Sequence, residues 1–376
     1  MNEREISQIR RRMRPEKNNI GRICGCYVND KHVIISEFNQ NLGLISSNEA
    51  EEILSVLRKT LSGSLGRNLI EVSFSNQQVL EGEEHKLLSA LRSSSLSDTD
   101  AVKQFFEKAV GSIELEGSYL LLLANDKYDI FTYNEFGEKN ESPDVFSYII
   151  CAVCPIKSSK PTLGYNVTEN KFKNVMRDSL VSSPELGFLF PTLSDNKANI
   201  YESLFYTRNV SESHKDFTDA IFRSELPKPA TEQTESIASI LNNTVAEDCN
   251  LELVQVLQSQ LIEITEDHKN NKTEEPLVIT SKDIGSLLRC GGIGEETIEE
   301  FSKSFKDDFG EDAKVSPTNI LDIKKLEVRT PEVTVKVAPE YSDFVETRVI
   351  DGTKYILIRA DGDVEVNGIR ININED

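Results

Sequence analysis

The sequence predicts an α+β fold, in which a mixed β-sheet with flanking helices is followed by a smaller helical domain that ends in a β-meander. Two apolar, β-prone runs, SYLLLLAN and FSYIICAVCPI, lie within residues 118–157 and are typical of strands buried on both faces. Helical periodicity precedes these runs and returns after residue 236. The chain closes on two strong hairpin-turn signals, Asp351-Gly352 and Asn367-Gly368.

The chain is too long for a single core, because cores usually stop growing well below its 376 residues. The clearest linker is ELPKPATEQTE, in which two prolines and polar residues disfavour both helix and core. The predicted organisation is a basic N-terminal helix or arm (1–22), an α+β domain (23–225), a linker (226–235) and a C-terminal domain of helices and β-meander (236–376).

The N-terminal segment is predicted to be a helix over residues 2–13 that feeds a hairpin. Ile6, Ile9 and Met13 fall on one side of this helix, and arginines cover much of the rest. Arg14 precedes a proline and is pushed out of the α region, so the helix ends there. The β-prone runs GRICGCYV and HVIISEF follow, joined by a short turn at residues 29–31.

Capping signatures place the next helices. Ser46 with Glu49 and Ser75 with Gln78 form two capping boxes, and Asp98 or Asp100 caps a third helix. After the two apolar strands, the chain is predicted to be irregular from residue 161 to residue 184. ELGFLFPTL and ANIYESLFYTRN are predicted strands, and further helices are expected over 216–223, 237–241, 251–264, 283–289 and 295–309.

The charge of the chain is unevenly distributed. The net charge is −21, yet residues 1–22 hold seven basic and three acidic residues, which gives +4 there and leaves −25 for the remainder. No apolar run is long enough to span a bilayer, and the N-terminus lacks the features of a secretory signal. We therefore expect a cytoplasmic protein with reduced thiols for its six cysteines.

No pattern of metal ligands or catalytic residues stands out. Cys24 with Cys26 and Cys151 with Cys154 could supply four thiolates to zinc, but the second pair lies three residues apart on a strand and points to opposite faces. Packed free thiols are therefore the favoured interpretation. The histidines are scattered, and no nucleophile motif is present. We expect no metal, no cofactor and no enzymatic activity. A hydrolase would instead require a deep pocket with converging carboxylates or histidines.

The run LLRCGGIGEETIEEF resembles a helix-hairpin-helix, in which amides of a glycine-rich turn hold a DNA phosphate. Glutamates at residues 295, 296, 299 and 300 occupy the start of the second helix, where they complement its dipole. A plain αα-turn is therefore favoured over a phosphate site at the amides of this turn.

The basic arm is the best functional candidate, because its cations can neutralise phosphates and release counterions. The candidate nucleic-acid-binding residues are Arg4, Arg10, Arg11, Arg12, Arg14, Lys17 and Arg22. Two interpretations stay open. In one, the arginines project into solvent and bind a polyanion. In the other, the apolar side of the helix docks on the acidic body of the protein and the arginines are paired there.

The blocks RRRMRPEKNNI, GCYV and VETRVIDGTKYILIRADGDVEVNG resemble an uncharacterised family of cytoplasmic proteins from Gram-positive, Clostridia-type bacteria, over nearly the full length. The order of elements is also remotely similar to the bacterial nucleoid-associated protein family typified by YejK. The similar elements are EGSYLLLLANDKYDI and FSYIICAVCPIKSS as paired strands, ANIYESLFYTRN running into DFTDAIF, the GGIGEETIEEFSKSF turn and helix, and a VTVKV hairpin.

The second resemblance implies a two-part α+β protein that associates with DNA, or with proteins acting on DNA, without known enzymatic activity. It assigns no individual binding residue. We therefore expect a nucleoid-associated-like protein that binds DNA or structured RNA through the basic N-terminal helix. The alternative is an acidic protein-interaction module that acts on a basic, DNA-handling enzyme without touching nucleic acid. Neither interpretation involves a membrane.

Overall fold

The computed structural model describes residues 1–130, 144–157, 162–175, 180–194, 196–224, 226–271, 277–311, 313–366 and 368–371. The chain divides into two compact units. Met1–Ala230 belongs to the first, and Thr231–Thr273 with Leu277–Asp376 belongs to the second. Residues 1–22 lie within the first unit, and the segment 226–235 contains the boundary. A helix begins inside that segment, at Ala230, directly after its second proline.

The first unit contains a large sheet with helices on both faces. Its helices are α1 (Glu3–Arg12), α2 (Ser47–Lys59), α3 (Asn76–Glu81), α4 (Glu83–Ser93), α5 (Thr99–Val110) and α6 (Lys215–Phe222). Its strands are β1 (Arg22–Val28), β2 (Ile34–Asn41), β3 (Leu69–Ser73), β4 (Tyr119–Ile130), β5 (Asp144–Lys157), β6 (Thr162–Asn166), β7 (Lys171–Val175), β8 (Leu180–Val181), β9 (Leu186–Phe190), β10 (Thr192–Ser194), β11 (Lys197–Asn199) and β12 (Glu202–Thr207).

The α+β fold class is confirmed, with one difference in the sheet. The order of its strands is β2-β1-β4-β5-β9-β12-β3, with β8 on β5. Every described pair in it is antiparallel, whereas a mixed sheet was predicted. Runs that are apolar on both faces are typical of parallel strands. Here the same pattern arises because helices cover both faces of an antiparallel sheet.

The two central strands separate two apolar cores. In β4, Leu121 and Leu123 face one core together with helices α4, α5 and α6, whereas Leu122 and Ala124 face the other together with α1 and α2. The register pairs Leu122 with Ala152 of β5, and both side chains enter the second core. Alternate residues of one strand therefore stabilise opposite helical layers, and α1 belongs to one of these layers.

The capping boxes form as predicted. Ser46 and Ser75 each accept a hydrogen bond from the third residue of the helix that follows, and Asp98 caps α5. The chain from residue 162 to residue 175 is different, because the irregular segment predicted there forms the hairpin β6–β7. That prediction is wrong. Its apolar side chains Leu163 and Phe172 are exposed, and its two short strands lack the long apolar runs that identify β4 and β5.

The second unit packs four helices around a core of its own, which includes Leu261, Leu288, Phe301 and Phe305. The helices are α7 (Ala230–Thr244), α8 (Leu251–Asn270), α9 (Ser281–Cys290) and α10 (Glu295–Phe309). The strands are β13 (Leu326–Arg329), β14 (Thr334–Val337), β15 (Val345–Ile350), β16 (Thr353–Ile358), β17 (Val364–Val366) and β18 (Ile369–Ile371).

These last strands form three separate antiparallel pairs rather than one continuous meander. The predicted turn at Asp351-Gly352 is present, since both residues have positive φ angles, 49° and 79°. The other predicted turn includes Asn367, which lies outside the described residues. Across the described part of the chain, no helix has the length and apolar character needed to cross a membrane.

Candidate nucleic-acid interface

Helix α1 is docked on the sheet through its apolar side. Ile6 and Ile9 are 0% exposed and Met13 is 1% exposed, and all three enter the core shared with α2. Asn2 and Glu5 form a capping box that fixes the start of the helix. The side chains of a helix cover its whole circumference, so burying this side leaves the arginine-rich remainder at the surface.

Arg12 anchors the helix to the central strand β4. Its Nε and Nη2 donate to Oδ2 and Oδ1 of Asp126 at 3.1 and 3.2 Å, and its guanidinium carbon lies 4.4 Å from the centre of the Tyr128 ring. The Asp126 side chain is fully buried and also accepts hydrogen bonds from the Tyr148 hydroxyl at 3.1 Å and the Asn19 amide at 2.9 Å. The carboxylate therefore holds the end of α1 and the segment that follows it against β4.

Two tyrosines beside this carboxylate are held in their neutral form. Burial raises the pKa of Tyr128 to about 12 and raises the pKa of Tyr148 well above its ordinary value, with a further increase from the charge of Asp126. The Tyr148 hydroxyl therefore stays protonated and donates to the carboxylate. The network is a structural anchor between α1 and β4.

Arg10 also holds α1 on the first unit, through a contact with the chain just after α2. Its Nε donates to the backbone carbonyl of Leu61, and burial lowers the pKa of its guanidinium. Its Nη2 is buried and has no hydrogen-bond partner among the residues that the structure describes. Arg10 and Arg12 thus hold the helix in place, as the docked-helix interpretation requires, and they contribute less to the outer surface.

The other predicted cations lie on the outer surface. Arg11, Arg14, Lys17 and Arg22 are exposed, and none of them forms an ion pair with a carboxylate in the described part of the chain. Arg4 is exposed as well. The structure therefore divides the seven candidate residues between the two interpretations: Arg10 and Arg12 are docked, and Arg4 and the four unpaired cations lie at the surface.

An open groove of about 1050 Å³ runs along α1. Five basic residues and three acidic residues line it. The basic ones are Arg4, Arg10, Arg11, Arg12 and Lys17, and the acidic ones are Glu3, Glu16 and Asp129. The groove therefore carries a net positive charge of 2 within a chain whose net charge is −21.

The cysteine pairs lie in the cores. Cys24, Cys26 and Cys151 enter one core and Cys154 the other, on the opposite face of the sheet. All four are free thiols, and burial raises the pKa of Cys26 and of Cys154 to about 12. Among the described residues, no three side chains of His, Cys, Asp or Glu are placed to hold a metal ion.

A polar depression of about 500 Å³ near the start of α6 is the place where a hydrolytic site would be sought. Glu114, Glu212, His214 and Asp216 line it. The His214 ring is buried against Phe205, and burial lowers its pKa. Its Nε2 has no hydrogen-bond partner in the described part of the chain, so no hydroxyl is paired with it as a nucleophile.

Sequence reasoning missed the central anchoring residue, Asp126. A signal for it was present, since this aspartate stands within the apolar run of β4, and a buried carboxylate requires a cationic partner. The partner, Arg12, lies 114 residues away in sequence.

One comparison with known proteins covers the candidate interface. A family model described as a domain of unknown function (DUF4317) matches residues 1–369, a range that includes α1 and the whole groove. No curated protein matches the chain.

Proposed function

The chain belongs to the DUF4317 family, whose description names no activity, and on that premise we propose that it is a non-enzymatic protein that binds DNA or structured RNA through the exposed cations of α1 and the segment after it. The observation that supports this most directly is the set of four exposed, unpaired cations, Arg11, Arg14, Lys17 and Arg22. Four such groups can neutralise up to four phosphates, which makes binding dependent on salt.

The docked helix favours binding because its cations need little ordering when a partner arrives. Burial of Ile9 and the bond from Arg12 to Asp126 fix the backbone from which the exposed side chains project. A preformed site loses less conformational entropy on binding than a free arm does. The docking of the helix and the binding of a polyanion are therefore compatible functions of opposite sides of one helix.

The remaining charge of the chain supports the same orientation. Outside residues 1–22 the net charge is −25, which repels phosphates from most of the surface. A polyanion is then directed to the cationic end. We further propose that the family is a remote relative of the nucleoid-associated proteins typified by YejK, of the Clostridia-type bacterial origin expected above, and that the protein acts in the cytoplasm at the nucleoid.

The test is the affinity for a labelled DNA duplex, measured by fluorescence anisotropy at about 50 mM salt, where phosphate contacts contribute strongly. The variant R11A/R14A/K17A/R22A removes the exposed cations and keeps Arg10 and Arg12. A matched control, K31A/K103A/K171A/K197A, removes four exposed cations elsewhere in the first unit that form no ion pair with any described residue. We expect the first variant to lose most of its affinity and the control to keep it. Equal affinities for both variants would contradict the proposal, as would no binding by the unaltered protein.

A second candidate function is favoured by the exposed apolar side chains of β15–β16. Val349 is 69% exposed and Ile358 is 58% exposed, and solvent-facing apolar side chains of this kind mark surfaces that bind proteins. In this candidate the protein is an acidic interaction module that acts on a basic, DNA-handling enzyme. Affinity purification after nuclease treatment separates the two functions, since only a direct protein partner is retained without nucleic acid.

A further inference from the structure

Helices α9 and α10 of the second unit form an antiparallel pair with a groove of about 510 Å³ between them. Ser302 lines this groove, and its hydroxyl oxygen lies 3.1 Å from that of the buried Ser281 on α9. One turn further along, a Cβ on Gly285 would meet the Ile298 side chain at 3.0 Å. Glycine at this position therefore permits the close approach of the helices, and the floor of the groove is narrow and partly polar.

Three lysines lie around the end of this groove that is furthest from the helix–helix turn. Lys282 belongs to the first turn of α9, and Lys303 and Lys306 to the second half of α10. All three are exposed, and none forms an ion pair with a carboxylate among the described residues. At the other end of the groove, the Arg289 guanidinium is occupied by Glu295, with Nη2 2.8 Å from Oε2.

The groove keeps an excess of positive charge in the isolated protein. Glu299 also lines it, four residues before Lys303 on the same helix, so the three lysines exceed this carboxylate by two charges once Arg289 is paired with Glu295. Lys303 and Lys306 lie three residues apart on one helix face, where like charges repel. Lys282 lies near the N-terminus of α9, where a positive charge opposes the helix dipole. An oxyanion beside these ammonium groups would offset the excess of positive charge, so the groove can accept an anionic ligand.

We infer that the lysine cluster of the α9–α10 groove is a second contact surface for the phosphate backbone of a nucleic acid. The inference rests on the proposed function, since the ligand is the polyanion assigned to α1. The contact uses lysines on the faces of the two helices. The amides of the glycine turn between them take no part, because the Glu295 carboxylate lies at that end of the groove.

Each unit would then supply one cationic surface, and the two would contribute to affinity together. Each phosphate contact strengthens binding to duplex DNA about eightfold when salt is lowered from about 1 M to about 0.1 M. Loss of one or two contacts at the lysine cluster should therefore weaken binding by about eightfold to about sixtyfold at the lower salt concentration.

The test compares the variant K282A/K303A/K306A with the control K314A/K324A/K354A in the full chain, by anisotropy of a labelled duplex. The control removes three exposed lysines of the same unit that do not line the groove and form no ion pair within the described part of the chain. We expect the first variant to bind about eightfold to about sixtyfold more weakly than the control at about 0.1 M salt. Equal affinities overturn the inference.

The failure of this inference is distinguishable from the failure of the proposed function. If R11A/R14A/K17A/R22A loses binding while K282A/K303A/K306A matches its control, only the lysine cluster is wrong. If the first keeps its affinity and the second loses it, the proposed interface on α1 is wrong and the lysine cluster stands.

A second measurement does not depend on variants. Lysine acetylation followed by mass spectrometry reports which ammonium groups the ligand covers in the unaltered protein. Duplex DNA should protect Lys282, Lys303 and Lys306 and leave Lys354 reactive. Inorganic pyrophosphate, added without DNA, serves as the second probe. Protection by pyrophosphate but not by the duplex would assign the cluster to a small phosphate compound and overturn the inference.

Discussion

Arg12 and Asp126 form two parallel hydrogen bonds, from Nε to Oδ2 at 3.1 Å and from Nη2 to Oδ1 at 3.2 Å, between the first helix and the central strand of the sheet. The carboxylate is fully buried and the guanidinium is 19% exposed. The pair makes the N-terminal helix part of the folded body, and the same helix presents other cations to solvent. Stability and binding can therefore be tested on neighbouring residues of one segment.

Replacing Asp126 with asparagine should lower the free energy of unfolding by about 3 kcal/mol, because it removes one partner of a buried ion pair. The asparagine amide would also meet the Asn19 amide, which donates to the native carboxylate. Urea denaturation measures the change. Asp129→Asn, at an exposed position of the same strand, is the control and should shift stability by less than about 0.5 kcal/mol. A substitution at Asp126 that costs no more than the control would mean that the pair does not anchor α1.

Replacing Ile9 with alanine should lower the free energy of unfolding by about 2–4 kcal/mol, since the side chain is fully buried and its removal leaves a cavity. Leu44→Ala, at a residue 85% exposed in the same unit, should have little effect. Thermal and urea denaturation both report the difference. If Ile9→Ala changed the free energy of unfolding as little as Leu44→Ala does, α1 would be a free arm.

Gly187 in β9 should not accept a side chain. A Cβ there would lie 2.3 Å from the backbone oxygen of Cys151, which belongs to the neighbouring strand and cannot move aside easily. Gly187→Ala should therefore destabilise the protein by about 1–3 kcal/mol through overpacking. Gly21→Ala, where no atom lies within 4 Å of the added carbon, is the matched control. Equal stabilities of the two variants would show that the sheet is packed differently at this point.

The buried thiols should make stability fall at alkaline pH. Burial raises the pKa of Cys26 and of Cys154 to about 12 in the folded protein, whereas an unfolded thiol has a pKa of about 8.5. Their contribution is therefore fully present below pH of about 8.5 and is lost as pH rises toward 12, by up to about 1.4 kcal/mol per pH unit for each thiol.

The variant C26A should show a shallower decline of the free energy of unfolding across this range, and C249A, at an exposed cysteine, should follow the unaltered protein. Urea denaturation at a series of pH values measures both slopes. Identical slopes for C26A and the unaltered protein would contradict the assignment of this thiol to the core.

Local signals in the sequence predicted much of the fold. The capping boxes at Ser46 and Ser75 depend on residues three positions apart, and the runs of β4 and β5 are apolar enough to identify as strands without knowledge of their partners. The direction of strand pairing depends on connections and on packing against helices, so the antiparallel sheet was not predicted. The hairpin β6–β7 was missed because its strands are short and carry no long apolar run of the kind that identifies β4 and β5.

The candidate interface was predictable in composition but not in arrangement. Charge counting identified all seven cations, because a cluster of arginines is visible along the chain. It could not show that Arg10 donates to the carbonyl of Leu61, or that Arg12 pairs with a carboxylate 114 residues away. Those contacts are long-range, and they decide which cations remain exposed.

The central claim is that the exposed cations of α1 and the segment after it contact the phosphates of a nucleic acid. Its most direct test is the slope of log affinity against log salt for a DNA duplex, which counts the phosphates that the protein neutralises. Removing four contacts in R11A/R14A/K17A/R22A should make this slope shallower by about 3 to 4, while K31A/K103A/K171A/K197A should leave it unchanged. Identical slopes for the unaltered protein and the α1 variant would contradict the claim.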